Sequence, residues 1–258
     1  DVQPNVHDYL VEHIPNAVYL NEGLFRLSKN GLPAEYLNRE AMQEIFRDIG
    51  IQEKKGMVVY SGTGAFKGWG DGLEQTMAAY SLARYGHCNI FVLDGGLERW
   101  KLQEKPVTRE YFNVQTSDFT TQIRRDFTAD MQAVKGSKDE ENVILLDARP
   151  AEIYQGQGPW QKPGHIPGAV NLPWKSLMDD KNPKSLKPLD TIHQILEQKN
   201  ISKDKTIICS CGTGREATNE FLLLNFYLGF PQVKIYEGSF TEWCAYPENA
   251  TVTGMSPY

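Results

Sequence analysis

Short apolar runs alternate with longer stretches of mixed polarity along this chain. Residues 143–146 and 206–209 are apolar with little alternation, which is typical of strands buried on both faces of a sheet. Helical patterns follow at residues 73–85, 190–197 and 216–228. This alternation predicts an α/β fold in which helices cover both faces of a mostly parallel sheet. Ligands then bind beyond the carboxyl ends of the strands.

The second half of the chain repeats the first, with small insertions. Three pairs of segments match in the same order, namely residues 13–18 with 165–170, 62–64 with 212–214, and 94–100 with 237–243. An internal duplication of this kind predicts two similar domains. We expect these domains at residues 1–108 and 126–258, joined by a linker at residues 109–125.

The first repeat begins late relative to the second. Asp1 aligns with Asp147, whereas residues 126–146, which include a predicted strand, precede Asp147 in the second repeat. A parallel sheet without that strand leaves main-chain groups unpaired, at a cost of roughly 1 to 3 kcal/mol for each buried group. We therefore expect the natural protein to carry upstream residues that supply a helix and this strand.

Composition and charge exclude several classes of partner. The 258 residues are 40% hydrophobic and 23% charged, with a formal net charge of -6 at pH 7. This negative charge argues against nucleic acid or an anionic membrane as the partner. The longest apolar stretch, residues 221–230, is interrupted by Asn225 and is too short to span a bilayer. We favour the cytoplasm as the compartment, with the periplasm as the alternative.

A cysteine and a glycine-rich turn separate the apolar run at residues 206–209 from the helical pattern that follows. The six-residue loop consists of Cys211, Gly212, Thr213, Gly214, Arg215 and Glu216. Its glycines let the main chain turn tightly with the amides facing inward, and the helix N-terminus adds partial positive charge. We expect these dipoles and Arg215 to lower the pKa of the Cys211 thiol and favour the thiolate. The first repeat has Ser61 in place of this cysteine.

The four cysteines do not have the pattern of a disulfide framework. Cys209 and Cys211 point to opposite faces of an extended strand, and Cys88 and Cys244 lie in different repeats. We expect all four to be reduced. The Cys-x-Cys pair lacks a second Cys or His pair at ligand spacing, so the sequence predicts no zinc site.

Together these motifs make the chain resemble the tandem-domain rhodanese family of sulfurtransferases. The resemblance covers nearly the whole chain, including the loop at Cys211, residues 164–170, residues 147–149 and residues 93–96. It implies that Cys211 is catalytic and that the rest of the loop, Gly212 to Glu216, binds the substrate and the persulfide. It also implies that Asp147 and Arg149 brace this loop and that the first domain is catalytically silent.

The resemblance implies a double-displacement reaction. Cys211 attacks the outer sulfur of a small-molecule donor, becomes a persulfide and passes that sulfur to cyanide or a thiol, which a thioredoxin-like protein can supply. The loop amides would hold the anionic outer sulfur without any side-chain base. No cofactor and no metal are implied.

The donor implied by the resemblance is thiosulfate, with 3-mercaptopyruvate as the alternative. Family members that prefer thiosulfate carry extra basic side chains in the loop, and those that prefer mercaptopyruvate have a Cys-Gly-Ser-Gly loop. Thr213 and its flanking glycines resemble the second type, but Arg215 and Glu216 depart from it. Residues 152–154, where two-domain members place another substrate-binding arginine, contain none.

Two other functions stay open as alternatives. A phosphatase or arsenate reductase of the Cys-x5-Arg type uses a similar cradle, but its arginine would fall at Ala217, and Arg215 comes too early. Both domains could instead be non-catalytic interaction modules, although the cysteine retained in one loop argues against this. A phosphatase assay and a search for cyanolysable sulfur on Cys211 distinguish the three functions.

Two further features lie outside the loop at Cys211. His13 and His165 precede Ile-Pro in both repeats although only one repeat has the loop cysteine, so we expect them to support the fold. Residues 66–72 follow the silent loop and have no counterpart in the second repeat. We hypothesise that this insertion shapes substrate entry.

Overall fold

The computed structural model describes residues 1–3, 5–64 and 71–258 and divides them into two compact units. The first unit comprises residues 1–28, 36–124 and 181–186, and the second comprises residues 29–35, 125–180 and 187–258. The expected linker, residues 109–125, contains no helix or strand before Arg125, and its residues up to 124 belong to the first unit. We hypothesised that the insertion at residues 66–72 shapes substrate entry. Residues 66–70 of this insertion lie outside the described residues, whereas Asp71 and Gly72 are described.

The first half of the chain contains four helices and four strands within its described residues. The helices are α1 (Val6–Val11), α2 (Arg39–Asp48), α3 (Leu73–Arg84) and α4 (Gly96–Leu102), and the strands are β1 (Arg26–Lys29), β2 (Leu32–Tyr36), β3 (Met57–Val59) and β4 (Ile90–Val92). Strands β1 and β2 pair with each other, and β3 pairs with β4 in parallel. The pair β1 and β2 was not predicted from the sequence.

The second half contains the larger sheet. Its strands are β5 (Thr128–Ala129), β6 (Val143–Asp147), β7 (Val170–Asn171), β8 (Thr206–Ser210) and β9 (Val233–Tyr236), and its helices are α5 (Met131–Ser137), α6 (Leu189–Gln198), α7 (Ala217–Phe221) and α8 (Ser239–Ala245). Short helical turns lie at Glu22–Phe25 in the first half of the chain, and at Arg125–Phe127, Ile153–Gln157, Trp174–Leu177 and Leu222–Tyr227 in the second half. The structure contains the strands predicted at residues 143–146 and 206–209, as β6 and β8, and the helix predicted at residues 190–197, as α6.

The strands of the second half form one parallel sheet in the order β5-β9-β8-β6-β7. Strand β8 lies at its centre with β6 beside it, and both strands are buried from their second residue onward. Burial on both faces explains why these runs show no alternation of apolar and polar residues. Because β8 ends at Ser210, the loop that begins at Cys211 lies at the carboxyl edge of the sheet.

The two repeats share details of main-chain pairing. The amide of Val2 donates to the carbonyl of Tyr60 at 2.8 Å, as the amide of Ala148 does to that of Ser210 at 2.8 Å. These contacts follow the predicted alignment of Asp1 with Asp147 and of Ser61 with Cys211. The sheets differ, because β8 has a neighbour on each side whereas β3 pairs with β4. The expectation of upstream residues stays a prediction.

The histidines that the repeats share are buried and bonded to main-chain carbonyls. His13 contacts the carbonyls of Tyr9 and Glu110, and its ring stacks on that of Tyr9 with the centroids 3.8 Å apart. His165 contacts the carbonyls of Tyr154 and Ser256 and stacks on Tyr154 at 3.6 Å. This geometry agrees with the expected structural role.

The helix predicted at residues 216–228 changes its geometry partway. Regular α-helix ends at Phe221, and a wider π-type helix continues over Leu222–Tyr227. Asn225 lies inside this wider segment and donates its side-chain amide to the carbonyl of Phe230 at 3.2 Å. No helix in the described part of the chain is long and apolar enough to cross a membrane.

Gly164 provides a test of packing in the second unit. Its φ is +89°, and a Cβ at this position would overlap the carbonyl oxygen of Val252, which already accepts the amide of His165. Gly254 has a similar φ of +88° with open space around it, so Gly254→Ala isolates the conformational cost. We expect Gly254→Ala to lower the free energy of unfolding by roughly 1 to 2 kcal/mol and Gly164→Ala by roughly 2 to 5 kcal/mol. Urea titration of both variants measures the difference, and equal losses would contradict the predicted overlap.

Candidate active site

The candidate loop runs from the end of β8 to the start of α7 and is held by the first turn of α8. The main-chain amide of Cys211 donates to Ser239 Oγ at 3.2 Å, and the carbonyl of Cys211 accepts the amide of Phe240 at 3.0 Å. Ser239 in turn donates its hydroxyl to the carbonyl of Tyr236 at 2.8 Å. Ser239 adopts a left-handed φ of 52°, a conformation that costs a non-glycine residue energy. The position of Cys211 thus depends on contacts far away in sequence.

Main-chain amides converge on the sulfur of Cys211, as predicted. The amide of Gly214 donates to Cys211 Sγ at 3.0 Å, and the amides of Thr213 and Ala217 also donate to this sulfur. Gly214 has a φ of +79°, and a Cβ there would lie 2.8 Å from the carbonyl oxygen of Glu237. Glycine is therefore required where the loop turns its amides inward.

The predicted lowering of the Cys211 pKa is wrong. Complete burial raises the pKa of Cys211 well above its usual value, and the charge of Glu216 and its hydrogen bond with the thiol raise it further. The amides of Ala217 and Thr213 lower the pKa but do not outweigh these effects. Burial removes water from the charged form, a penalty that the sequence does not reveal.

A second acidic residue lies behind the loop, on α7. Glu220 is fully buried, and both of its carboxylate oxygens lack a hydrogen-bond partner within the described part of the structure. Burial raises its pKa well above the usual value, and the charges of Asp147 and Glu216 act in the same direction. Sequence reasoning missed Glu220, because a helical pattern does not show how deeply one position is buried.

Asp147 and Arg149 form a buried ion pair beside the loop. The Arg149 side chain donates from Nε and Nη2 to the two Asp147 oxygens at 2.5 to 3.1 Å, and Nη2 also donates to the carbonyl of Gly164 at 3.0 Å. The guanidinium lies 4.1 Å from the centroid of the Phe240 ring. This arrangement is consistent with the bracing role expected for the pair, whose charges are satisfied mainly by each other.

Trp160 is a site residue that the sequence did not indicate. A Cβ at Gly212 would lie 2.6 Å from the Trp160 ring, so the indole packs directly against the loop. Its Nε1 donates to Thr241 Oγ1 at 2.8 Å, and Thr241 Oγ1 donates to the carbonyl of Gly212 at 2.7 Å. The Arg149 guanidinium lies 5.1 Å from the ring centroid. The glycine at position 212 was the only signal of such a close neighbour.

The corresponding loop of the first unit has no thiol, and polar side chains accept hydrogen bonds from its residues. Ser61 is buried, and both its amide and its hydroxyl donate to Gln75 Oε1, at 3.2 and 3.4 Å. The amide of Thr63 donates to Glu98 Oε1 at 2.6 Å. Gly64 has a φ of +79°, the same as Gly214, so the turn itself is preserved. These contacts hold residues 61–64, the described part of a loop that has serine in place of the cysteine.

The remaining cysteines do not join the loop thiol in any bond. All four cysteines are free, with Cys88 exposed and Cys209, Cys211 and Cys244 buried. Burial raises the pKa of Cys209 well above the usual value, and the charge of Glu220 adds to this effect. Cys209 lies within β8, away from the loop amides. Cys211 is thus the cysteine that the site geometry selects.

The chain belongs to the rhodanese-like domain family, whose family model matches residues 1–103 and 130–246. A putative thiosulfate sulfurtransferase of Synechococcus elongatus is 36% identical over 95% of this chain and 77% of its own length. The thiosulfate sulfurtransferase of Azotobacter vinelandii is 29% identical over 93% of this chain and 85% of its own length. The 3-mercaptopyruvate sulfurtransferase of Escherichia coli K12 is 28% identical over 92% and 82%. The predicted family, fold class and rhodanese-type sulfurtransferase activity are confirmed.

Solved structures show the same fold. The anaerobic ergothioneine biosynthesis enzyme from Chlorobium limicola, in complex with trimethyl histidine, superimposes with a TM-score of 0.85 at 21% identity over 98% of this chain. A structure of EanB that carries a cysteine persulfide, with ergothioneine, gives the same TM-score and identity. This chain spans 63% of each of those chains. At this identity the similarity concerns the fold alone.

Glu220 gives a prediction about stability and pH. Because its pKa in the folded protein is raised, folding takes up a proton, and stability falls as pH rises above the ordinary value of 4.5. The loss is about 1.4 kcal/mol per pH unit until the folded-state pKa is reached. Glu220→Gln removes this loss, so we expect the variant to be more stable than the wild type at pH 7 and equally stable near pH 4.5. Thermal unfolding across this range measures both proteins.

The exposed Glu152 provides the matched control. We expect Glu152→Gln to leave the dependence of stability on pH unchanged. A Glu220→Gln variant that is less stable than the wild type at pH 7 would show that the Glu220 carboxylate is ionised and satisfied in the folded protein.

Proposed function

We propose that Cys211 carries sulfur from thiosulfate to cyanide or a thiol acceptor through a persulfide. The observation that carries this proposal is the convergence of the Thr213, Gly214 and Ala217 amides on the Cys211 sulfur. A cradle of preorganised amides stabilises negative charge without reorganisation during the reaction. The charge develops on sulfur when the thiol loses its proton and again when the persulfide forms.

The rest of the loop shapes this cradle. Gly212 and Gly214 permit the close packing and the left-handed turn, and Thr213 contributes an amide to the sulfur. The carbonyl of Arg215 accepts both the amide and the hydroxyl of Thr218, at 3.2 and 2.8 Å, which joins the loop to α7. We assign the Asp147 and Arg149 ion pair a supporting role, because it braces the side of the loop that Trp160 covers.

We assign the two repeats different roles, because only one of their loops contains a thiol. The domain at residues 126–258 holds the thiol, and we assign catalysis to it. The domain at residues 1–108 has Ser61 at the equivalent position, and a serine hydroxyl without an adjacent base is a weak nucleophile. We assign this domain no catalytic role.

A second donor, 3-mercaptopyruvate, is favoured by one specific observation. The carboxylate of Glu216 contacts the Cys211 thiol and places negative charge where a dianionic donor would have to approach. Mercaptopyruvate carries a single carboxylate, so the repulsion is smaller for it than for thiosulfate. Proteins named for each donor are among the relatives, and either donor loads the same sulfur. A thioredoxin-like protein is the proposed macromolecular acceptor.

We expect Cys211→Ser to reduce sulfur transfer by on the order of 10⁴-fold or more, because the serine cannot form a persulfide. Cys209→Ser serves as the matched control and should retain most of the activity, since Cys209 lies in the strand. Thiocyanate production from cyanide measures both variants. If Cys209→Ser lost the activity and Cys211→Ser kept it, the assignment of the nucleophile would be wrong.

The persulfide itself is detectable by mass. After treatment with donor, the peptide that contains Cys211 should gain one sulfur, about 32 Da, and cyanide should remove it. Parallel loading with thiosulfate and with 3-mercaptopyruvate ranks the two donors. Absence of the adduct with both donors, together with hydrolysis of a phosphate ester, would instead support the phosphatase alternative. Absence of both activities would support an interaction module.

A further inference from the structure

The main-chain carbonyls of the first two loop residues both face the first turn of α8. The carbonyl of Cys211 accepts the amide of Phe240 at 3.0 Å. The carbonyl of Gly212 accepts two bonds from Thr241, one from its amide at 3.0 Å and one from its hydroxyl at 2.7 Å. Because the carbonyl and the amide of a trans peptide unit point in opposite directions, the amide of Thr213 is turned away from α8. This orientation agrees with its hydrogen bond to the Cys211 sulfur.

Trp160 fixes the direction in which the Thr241 hydroxyl donates. Its indole Nε1 donates to Thr241 Oγ1 at 2.8 Å. An indole N–H can only donate and a carbonyl oxygen can only accept, so the direction of each bond in this chain is determined. The hydroxyl hydrogen of Thr241 therefore points at the carbonyl of Gly212. Trp160 and Thr241 form a short chain of donors that ends on the loop.

The first unit has an acceptor where the second unit has this donor. Glu98 of α4 aligns with Thr241 of α8 in the repeat. The amide of Leu97, one residue earlier, donates to the carbonyl of Ser61 at 2.9 Å, which matches the bond from α8 to the carbonyl of the loop cysteine. The two helices thus hold their loops in the same way up to this position.

The carboxylate of Glu98 binds an amide and not a carbonyl. Its Oε1 accepts the amide of Thr63, the residue that aligns with Thr213, at 2.6 Å. Its Oε2 lies 3.3 Å from Nζ of Lys184, a buried residue of the same unit that also donates to Thr63 Oγ1 at 3.0 Å. A carboxylate can only accept, so Glu98 takes up the amide whose counterpart in the second unit serves the sulfur. The two loops therefore differ in the use of this amide as well as in the thiol.

We propose that Thr241 is a positioning residue for sulfur transfer, whose hydroxyl, oriented by Trp160, keeps the peptide between Gly212 and Thr213 turned with its amide toward the sulfur. This inference rests on the proposed function, because sulfur transfer is the reaction that the amide serves. An oriented amide stabilises the negative charge that develops on sulfur. A donor at this position in one repeat and an acceptor in the other then separates the two loops independently of the cysteine.

Three substitutions at position 241 test the hydroxyl. Thr241→Val removes it and keeps the shape, Thr241→Ser keeps it, and Thr241→Glu introduces the acceptor of the silent loop. The rate at which iodoacetamide alkylates Cys211, located by peptide mass, follows the thiolate fraction as pH changes. Because loss of an oriented amide disfavours the thiolate, we expect alkylation at neutral pH to be about 10-fold slower in Thr241→Val and about 10²-fold slower in Thr241→Glu. Thr241→Ser should match the wild type, and all the rates should converge at high pH.

A merely structural role for Thr241 predicts a different result. Thr241→Val would then lose thermal stability without a change in the pH profile, or its alkylation rate would fall by the same factor at every pH. Either result would overturn the proposal. Thr128→Val is the matched control, because the Thr128 hydroxyl donates to the carbonyl of Arg125 at 3.3 Å in β5, an edge strand of the sheet. We expect this control to keep the wild-type profile.

Trp160→Phe tests the same chain of bonds from its other end. It keeps an aromatic ring beside Gly212 and removes the N–H that orients the Thr241 hydroxyl. We expect its alkylation profile to move toward higher pH, in the same direction as that of Thr241→Val. This variant also provides the test if Thr241→Val does not fold. An unchanged profile for Trp160→Phe would contradict the proposal.

Parallel measurements of sulfur transfer separate this inference from the proposed function. With thiosulfate and cyanide, Thr241→Val should lower kcat about 10-fold and leave KM nearly unchanged, because the amide serves the charge that develops on sulfur. If the wild type transfers no sulfur from thiosulfate or 3-mercaptopyruvate but its alkylation profile depends on Thr241, the proposed function fails and the positioning role stands. If sulfur transfer occurs and neither its rate nor the alkylation profile changes in Thr241→Val, the positioning role fails and the proposed function stands.

Discussion

The enclosure of the Cys211 sulfur is the constraint on which the rest of the site depends. A sulfur removed from water loses solvation in its charged form, so the protein must replace water with groups of its own. The amides of Thr213, Gly214 and Ala217 do this. The amides can only arrange themselves so because Gly214 adopts a left-handed conformation. The same enclosure protects a persulfide from solvent and makes it expensive to deprotonate the thiol in advance.

The loop is positioned by elements that carry no chemistry. The first turn of α8 holds the main chain of Cys211 and Gly212, and the hydroxyl of Ser239 joins the loop to the end of β9. Strand β8 places the loop at the sheet edge, and the neighbouring β6 ends in the Asp147 and Arg149 pair. The sulfur thus sits where a central strand, a helix start and a buried ion pair meet. Precision of this kind comes from rigid elements and not from the loop itself.

Local features of this site could be predicted from the sequence, because they depend on neighbours along the chain. The strand before Cys211, the inward amides and the start of α7 follow from an apolar run and two glycines. The repeat also predicted which residue replaces the cysteine in the first loop, and Ser61 lies there in the same turn. The fold class followed from the same alternation of strands and helices.

The state of the thiol could not be predicted, because it depends on burial and on side-chain orientation. Glycines and a nearby arginine suggested a lowered pKa for Cys211, whereas burial and the charge of Glu216 raise it. Ser239 and Trp160 were missed for a related reason, since they reach Cys211 and Gly212 only through tertiary contacts. A sequence pattern shows what a segment can form, but not which distant side chain will cover it.

The contact between Gly212 and Trp160 limits how this loop can change during evolution. The indole fills the space that any side chain at position 212 would need, and it is fixed by its bond to Thr241. A basic residue at position 212 is therefore sterically accessible only if Trp160 is replaced by something smaller. Positions 212 and 160 are therefore coupled, so a basic residue can enter the loop at position 212 only together with the loss of this tryptophan.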